Sequence, residues 1–352
     1  MRKVRIGRFN TGKENLITDV KGIKVGHITR IENEPVKVRT GVTAIIPSKD
    51  IYLRRMIAGG FVLNGVGEMS GLTQIMEWGL LETPILLTNS LSVGNVHTGV
   101  VNFMQEKYPE LGQSNDVVLP VVGETDDSFL NDLREGINTS SHAVKAIKKA
   151  KKGCFEQGSV GAGTGMITCD FAGGIGSSSR IIEISDEIFT IGVLVLSNFG
   201  KMRNLTMDGM VIGRKLDKLF PKIRRREQNY GSIIVVVATD APMTSGQLSR
   251  VSKRAALGIG RAGSYAGYTS GEIIISFSTA NRILREGRKR SIYQNMRFIN
   301  DKHIDPFYEG VIEATEESIL NAILFSSGMD GRDNRFSPAI PQDFVSKVSA
   351  LI

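Results

Sequence analysis

Five short apolar runs punctuate the chain: Pro84-Ile-Leu-Leu87, Val117-Val-Leu-Pro-Val-Val122, Ile191–Leu196, Ser232–Ala238 and Ile273–Phe277. Runs of this length between turn-forming residues predict strands buried on one or both faces. Elsewhere apolar residues recur at helical spacing, which predicts helices over 70–81, 140–152, 247–259 and 307–324. In the second of these, Ala143, Ile147 and Ala150 share one stripe and the lysines form the wet face. Lysines favour a helix C-terminus, and Gly153 is placed to cap it. Strands interleaved with helices predict a mixed α/β fold with layered sheets. No internal repeat or low-complexity block interrupts the pattern. The one stretch of linker character, about 215–230, is too short to separate independently folding units, so 1–352 reads as a single domain.

Composition refines this picture and narrows the function. A hydrophobic fraction of 41% with 39 glycines and few aromatics suits a globular protein rich in tight turns. The net charge of +8 is local, gathered in Lys145–Lys152, Lys222–Arg226 and Arg285–Arg290. No aromatic-interleaved or recognition motif accompanies it, so a nucleic-acid partner is not expected. Cys154 and Cys169 have neither a disulfide framework nor metal-ligand spacing, and read as bystander thiols. The basic start lacks an apolar segment behind it, and no run of about 18 apolar residues could span a bilayer. Neither a signal peptide nor a membrane partner is expected, and a cytoplasmic location is.

Familiar cofactor and catalytic motifs do not fit. Gly258-Ile-Gly-Arg-Ala-Gly263 matches the dinucleotide fingerprint in letters, but that motif needs a strand before it. Here Leu248, Val251 and Ala255 fall on one face of a helix-like run, which the glycines then end. Gly161-Ala-Gly-Thr-Gly165 lacks the ending of a phosphate loop and reads as tight backbone packing lining a site. The four histidines form no zinc-peptidase pair, and no nucleophile elbow is present. Neither a metal nor a cofactor is expected.

Chemistry enters at Gly231-Ser-Ile-Ile-Val-Val-Val-Ala-Thr-Asp-Ala241, where a charged stretch runs straight into the hardest apolar run of the chain. A hydroxyl there opens a strand behind a glycine, the residue with no side chain to block its own carbonyl. That arrangement suits attack by Ser232 on the Gly231 carbonyl, breaking the chain and exposing Ser232 as a new N-terminus. Gly-Ser also occurs at 158–159, 176–177 and 263–264, so without further support the step reads as a plain turn into a strand. Downstream, Ser270 and Glu272 are two apart, and on an extended chain they share a face. A hydroxyl beside a carboxylate can orient a proton near a nucleophile, or simply edge a strand. An N-terminal nucleophile needs no histidine. Its α-amine, with a pKa of about 7.7–8.0, is roughly one-tenth neutral at pH 7, whereas a lysine near 10.4 is neutral in about one molecule in a few thousand.

These segments resemble the DmpA family of self-processing aminopeptidases, which includes the β-peptidyl aminopeptidases. The likeness runs through Asn15-Leu-Ile-Thr-Asp-Val-Lys-Gly-Ile-Lys-Val-Gly-His27, Thr40-Gly-Val-Thr-Ala44 and Asn64-Gly-Val-Gly-Glu-Met69. It continues in Leu87-Thr-Asn-Ser-Leu-Ser-Val-Gly94, Gly158-Ser-Val-Gly-Ala-Gly-Thr-Gly-Met166, Gly231 to Pro242, and Met329-Asp-Gly-Arg-Asp333. The resemblance implies two central sheets between outer helix layers, an αββα sandwich. It also implies cleavage into 1–231 and 232–352 and removal of N-terminal residues, of L-, D- or β-type, from small peptides, amides or esters. Ser232 would be the nucleophile, Ser270 and Glu272 its supporting pair, and Asn198 the oxyanion-binding asparagine; from its own surroundings Asn198 reads as turn chemistry closing an apolar run. A homo-oligomer, a tetramer of processed pairs, is expected. The alternatives are an acyltransferase of the related self-cleaving type, against which a serine nucleophile argues, and an inactive homologue that binds or assembles.

One block departs from the family. Gly123-Glu-Thr-Asp-Asp-Ser-Phe-Leu-Asn-Asp132 has Asp126 where relatives usually carry an aromatic residue, whose tyrosine hydroxyl would help hold the oxyanion. A carboxylate cannot donate a hydrogen bond and repels a developing oxyanion; losing one donor costs about 2.7–4 kcal/mol of barrier. Asp126 or Asp127 would instead meet the substrate ammonium, or Asp126 would cap a helix starting near Phe129.

Overall fold

The computed structural model describes residues 4–223, 231–285 and 292–349. The first half of the chain supplies strands β1 (Lys24–Glu32), β2 (Val38–Ile46), β3 (Arg54–Gly65), β4 (Met69–Ser70), β5 (Leu80–Leu81), β6 (Ile85–Asn89) and β7 (Val121–Thr125). Helices α1 (Leu72–Trp78), α2 (Val93–Lys107) and α3 (Ser140–Lys149) are interspersed with them. A tight hairpin, β8 (Ile167–Thr168) and β9 (Phe171–Ala172), precedes the long pair β10 (Ile175–Ile184) and β11 (Glu187–Asn198). A second small hairpin, β12 (Thr206–Met207) and β13 (Met210–Val211), leads into α4 (Gly213–Leu219). Then come β14 (Gly231–Thr239), α5 (Ser245–Arg261), β15 (Ser270–Leu284), α6 (Asp305–Leu324), the pair β16 (Met329–Asp330) and β17 (Phe336–Ser337), and α7 (Gln342–Ser349).

Two sheets stack at the centre. One has the order β1-β2-β6-β7-β4 and the other β10-β11-β14-β15-β3-β5. Between them Ile45, Ile85, Leu87 and Val121 of the first meet Leu194, Leu196, Ile234, Val236 and Ile273 of the second. The outer face of the six-stranded sheet, with Val193, Val195, Ile233 and Val235, is covered by Leu248 and Val251 of α5 and Phe307 and Val311 of α6. The outer face of the other is covered by Val96 and Val100 of α2 and Ala143 and Ile147 of α3. The expected αββα layering is borne out. Because β14 is buried on both faces along its whole length, it reads as continuous apolar sequence rather than alternation.

Several local expectations are corrected. The strand expected over 117–122 begins only at Val121, leaving Val117 and Leu119 65% and 49% exposed. Pro120 has no N–H to give a ladder, so pairing starts after it. Helix α3 stops at Lys149 rather than reaching Gly153, because Lys151 bonds the edge of β1 through Val25 in both directions. Helix α4 occupies the start of the expected linker and buries Leu216, while residues 224–230 lie outside the described residues. So do parts of the second and third basic clusters. The run containing Gly258 and Gly260 is helical throughout and ends at Arg261, just before Gly263 at φ +102. No described helix is long and apolar enough to cross a membrane.

Candidate active site

Three adjacent strands of the six-stranded sheet start or end at one place. β11 closes on Asn198, and antiparallel pairing sets Asn198 directly across from Ser232 near the start of β14. β15 opens on Ser270, and parallel pairing sets Gly231 beside Ser270 and Ser232 beside Gly271. Residues from three distant parts of the sequence thus meet within three rungs, and all five named for cleavage and catalysis are among them.

The pleat divides their work. Ser232 keeps step with Ile234 and Val236, and Asn198 with Leu194 and Leu196, all of which face the core between the sheets. Ser270 and Glu272 keep step with Ile274, which faces the helix layer. The hydroxyl of Ser232 therefore shares a face with Asn198. Ser270 and Glu272, on the neighbouring strand, lie on the opposite face of the sheet.

Ser232 is buried, and its Oγ donates to its own neighbour's carbonyl, Gly231 O, at 2.8 Å. A side chain at 231 has no room, since a Cβ there would stand 2.9 Å from Phe199 Cα. Ser270 Oγ donates to Glu272 Oε1, while Oε2 of the same fully buried carboxylate has no hydrogen-bond partner among the described residues. Burial pushes the Glu272 pKa up, against the Ser270 hydroxyl, which lowers it. Asn198 is held at both ends of its carboxamide: Oδ1 accepts from the Ile167 N–H at 3.0 Å, and Nδ2 donates to the Asp126 carbonyl at 2.6 Å. A recess lined by Phe199, Gly200, Gly231, Ser264, Tyr265 and Ser270 opens beside the Gly231–Ser232 bond.

The two aspartates expected near the substrate have different surroundings. The Asp126 carboxylate accepts from the Ser128 N–H at 2.8 Å and the Ser128 hydroxyl at 2.9 Å, so only its main chain reaches Asn198. Asp127 is fully buried, with Asn89 and Asn131 donating to it. Burial lifts its pKa to about 7 against the hydrogen bonds from Thr40, Asn131 and Asn89, which pull it down. A third carboxylate, Glu124, was not singled out in the sequence. It is 6% exposed, accepts from the Glu68 N–H at 2.8 Å and from the Ser90 hydroxyl, and burial raises its pKa. A Cβ placed on Gly67 would stand 3.2 Å from Glu124 Oε1 and 3.8 Å from Gly271 Cα, which puts this carboxylate close to the lateral neighbour of Ser232. Only its place at a strand end marks it in the sequence; the main-chain contacts of Asn198 leave no mark there at all.

The chain is similar to known proteins over nearly its whole length. The profile of peptidase family S58 matches residues 15–337. The beta-peptidyl aminopeptidase BapA of Sphingosinicella xenopeptidilytica is 38% identical over 355 residues, covering 96% of this chain and 87% of its own length. Among solved structures, a Burkholderia sp. beta-aminopeptidase superposes with a TM-score of 0.90 at 35% identity, covering 99% of this chain and 97% of that one. The L-aminopeptidase D-Ala-esterase/amidase of Ochrobactrum anthropi, a prototype for the serine aminopeptidases and a variant of the Ntn hydrolase fold, gives 0.91 at 35% identity with the same coverage. The match extends over nearly the whole length, and the chain belongs to peptidase family S58, a hydrolase of the serine-aminopeptidase kind on the N-terminal-nucleophile fold.

Proposed function

We propose that the chain cuts itself between Gly231 and Ser232 and that fragments 1–231 and 232–352 stay together as the working aminopeptidase. The contact between Ser232 Oγ and the Gly231 carbonyl, with an unpartnered Glu272 oxygen behind the same residue, carries this reading. In the first step Oγ attacks the Gly231 carbonyl carbon. The C–N bond to Ser232 breaks, its nitrogen takes the hydroxyl proton, and water hydrolyses the resulting ester to free Oγ and a Gly231 carboxylate. The new α-amine faces Ser270 and Glu272, whose carboxylate gains the partner it lacks.

In turnover the neutral amine accepts the Oγ proton, Oγ attacks the carbonyl of the substrate's N-terminal residue, and the departing amine takes that proton. Water then releases the acyl residue. Asn198 donates to the oxyanion; its amide carries two N–H groups, so a bond to the Asp126 carbonyl and one to the oxyanion are compatible. Glu124 is the carboxylate placed to meet the substrate ammonium. The substrates are small peptides, amides or esters whose N-terminal residue is of L-, D- or β-type, the range covered by the relatives' names. We place the enzyme in the cytoplasm as a homo-oligomer of processed pairs. Exposed Ile292, Tyr293, Met296 and Phe298, clustered on one coil, support a contact between copies.

Intact mass of the purified protein tests the cut: wild type should resolve into two fragments and Ser232→Ala should remain whole. A wild type that stays full length after prolonged incubation would refute it. Release of p-nitroaniline from L-, D- and β-alanyl anilides then reads the acyl preference. Acceleration by an added amine would instead indicate acyl transfer, and no turnover with any anilide an inert homologue.

A further inference from the structure

The hairpin of β8 and β9 turns on two residues, Cys169 at φ 51 and Asp170 at φ 64. Both are left-handed, and neither is glycine. That region is disfavoured for a residue with a side chain, and two-residue hairpins usually place Asn, Asp or Gly there. Backbone held in such a conformation is a reason to ask what it holds in turn.

This turn holds the end of β11. The Ile167 N–H donates to Asn198 Oδ1 at 3.0 Å, and the Cys169 N–H donates to the Phe199 carbonyl at 2.8 Å. Thr168 Oγ1 lies 3.0 Å from the Ser197 carbonyl and 2.8 Å from Ser197 Oγ. The Asp170 carboxylate accepts from the Met202 N–H at 2.9 Å. The hairpin therefore grips residues 197, 198, 199 and 202 in succession. It is braced from the other side by the segment around β17, where Ser337 Oγ donates to the Asp170 carbonyl at 3.1 Å and the Ala172 N–H donates to Pro338 O at 2.9 Å. At Gly200, φ +84, a Cβ would stand 3.0 Å from Cys169 Sγ, so the chain passes the turn with no slack.

A carboxamide can occupy its place in two orientations with opposite chemistry. With Oδ1 toward Ile167 the main-chain N–H meets an acceptor; the reverse would set donor against donor. The Ile167 N–H thus decides that the N–H2 end of Asn198 points forward, and the turn decides where Ile167 stands. We propose that the Cys169-Asp170 turn is a positioning device for Asn198, with Asp170 as the side chain that locks it to the chain beyond β11. This rests on the reading of Asn198 as the oxyanion donor. An oxyanion exists only after attack, so loosening the device should lower kcat and spare KM.

The test compares Asp170→Ala with Asp170→Asn, which keeps both an acceptor and tolerance of the left-handed region. Turnover of an alanyl anilide is counted per processed chain, with processing measured by intact mass. We expect Asp170→Ala to lose about tenfold or more in kcat with KM within about twofold, since small misplacements are costly, and Asp170→Asn to recover most of the loss. Should Asp170→Ala not accumulate as folded protein, the near-isosteric Thr168→Val cuts the tie to Ser197 and is expected to show the same split. Unchanged kcat in the folded variants, a KM that rises in parallel, or no recovery with Asn would overturn the proposal. Asn198→Ala, run alongside, separates the two claims. If it lowers kcat by about 10²–10³ while the hairpin variants do not, the positioning role alone fails; if it leaves kcat intact, the oxyanion reading fails first.

Discussion

At the scale of single residues, direction matters more than identity. Asp126 stands where relatives of the resembling family carry an aromatic, yet its carboxylate is turned onto Ser128 and its carbonyl receives Asn198. We therefore expect Asp126→Ala to lose about 1 kcal/mol of stability, as loss of a local side-chain cap does, and to leave KM for alanyl anilides within twofold. Thermal melting and steady-state kinetics check this, and a tenfold rise in KM would return Asp126 to the substrate. Ser232, Ser270 and Glu272 were legible because their spacing and their place at the head of apolar runs carry information. Asn198 was legible only through resemblance: its roles are fixed by the Ile167 N–H and the Asp126 carbonyl, main-chain groups that every sequence possesses. Glu124 was hidden for a related reason, since what sets it apart is the depth at which a strand end delivers it.

At the scale of elements, the strands read correctly from sequence are those buried on both faces. β14 and the start of β15 announce themselves as unbroken Ile and Val. β1 and β3 do not, because glycines interrupt their apolar pattern where helices approach. A Cβ on Gly26 in β1 would stand 2.4 Å from the Ala146 carbonyl of α3, and one on Gly59 in β3 would stand 2.5 Å from the Ser249 nitrogen of α5. The feature that hides these strands is the one that packs them. Gly59→Ala should accordingly push α5 off the sheet and lower stability by about 1–3 kcal/mol, visible as a fall in the urea midpoint with little change in slope. An unaltered midpoint would mean that the layers have more freedom than their spacing implies. Helix α2 is hidden in the sequence for a similar reason: Gly94 and Gly99 dilute the stripe of Val96, Val100 and Met104.

At the scale of the molecule, two buried groups set opposing dependences on pH. His27 is buried and its pKa is lowered to about 4 by desolvation, so its contribution is complete above about 6.5 and is lost as pH falls through about 4. Asp127 is raised to about 7, chiefly by burial, so its contribution is complete below about 3.8 and is lost as pH rises through about 7. Between pH 4 and 7 the two slopes work against each other. Substituting His27→Asn removes the first alone. Relative to wild type, the variant should gain stability as pH falls from 6.5 to 4, by up to about 3 kcal/mol, in urea titrations at fixed temperature. A constant gap across that range would show that His27 titrates as it does in the unfolded chain.

The order of the six-stranded sheet has one more consequence. β14 and β15 lie between β11 on one side and β3 on the other, so both strands contributed by 232–352 are enclosed by strands of 1–231. Were the Gly231–Ser232 bond cut as proposed, neither piece could leave without tearing open the middle of the sheet, and dissociation and unfolding would become one event. The cut would then act as a ratchet. The precursor would find its fold as one molecule, at a rate indifferent to how much protein is present, but the two-piece enzyme, once denatured, would have to find a separate partner. Refolding after dilution from urea should be first order for Ser232→Ala and should slow with dilution for the processed wild type. Each enzyme molecule would thus carry a topology that it could assemble only while still a single chain.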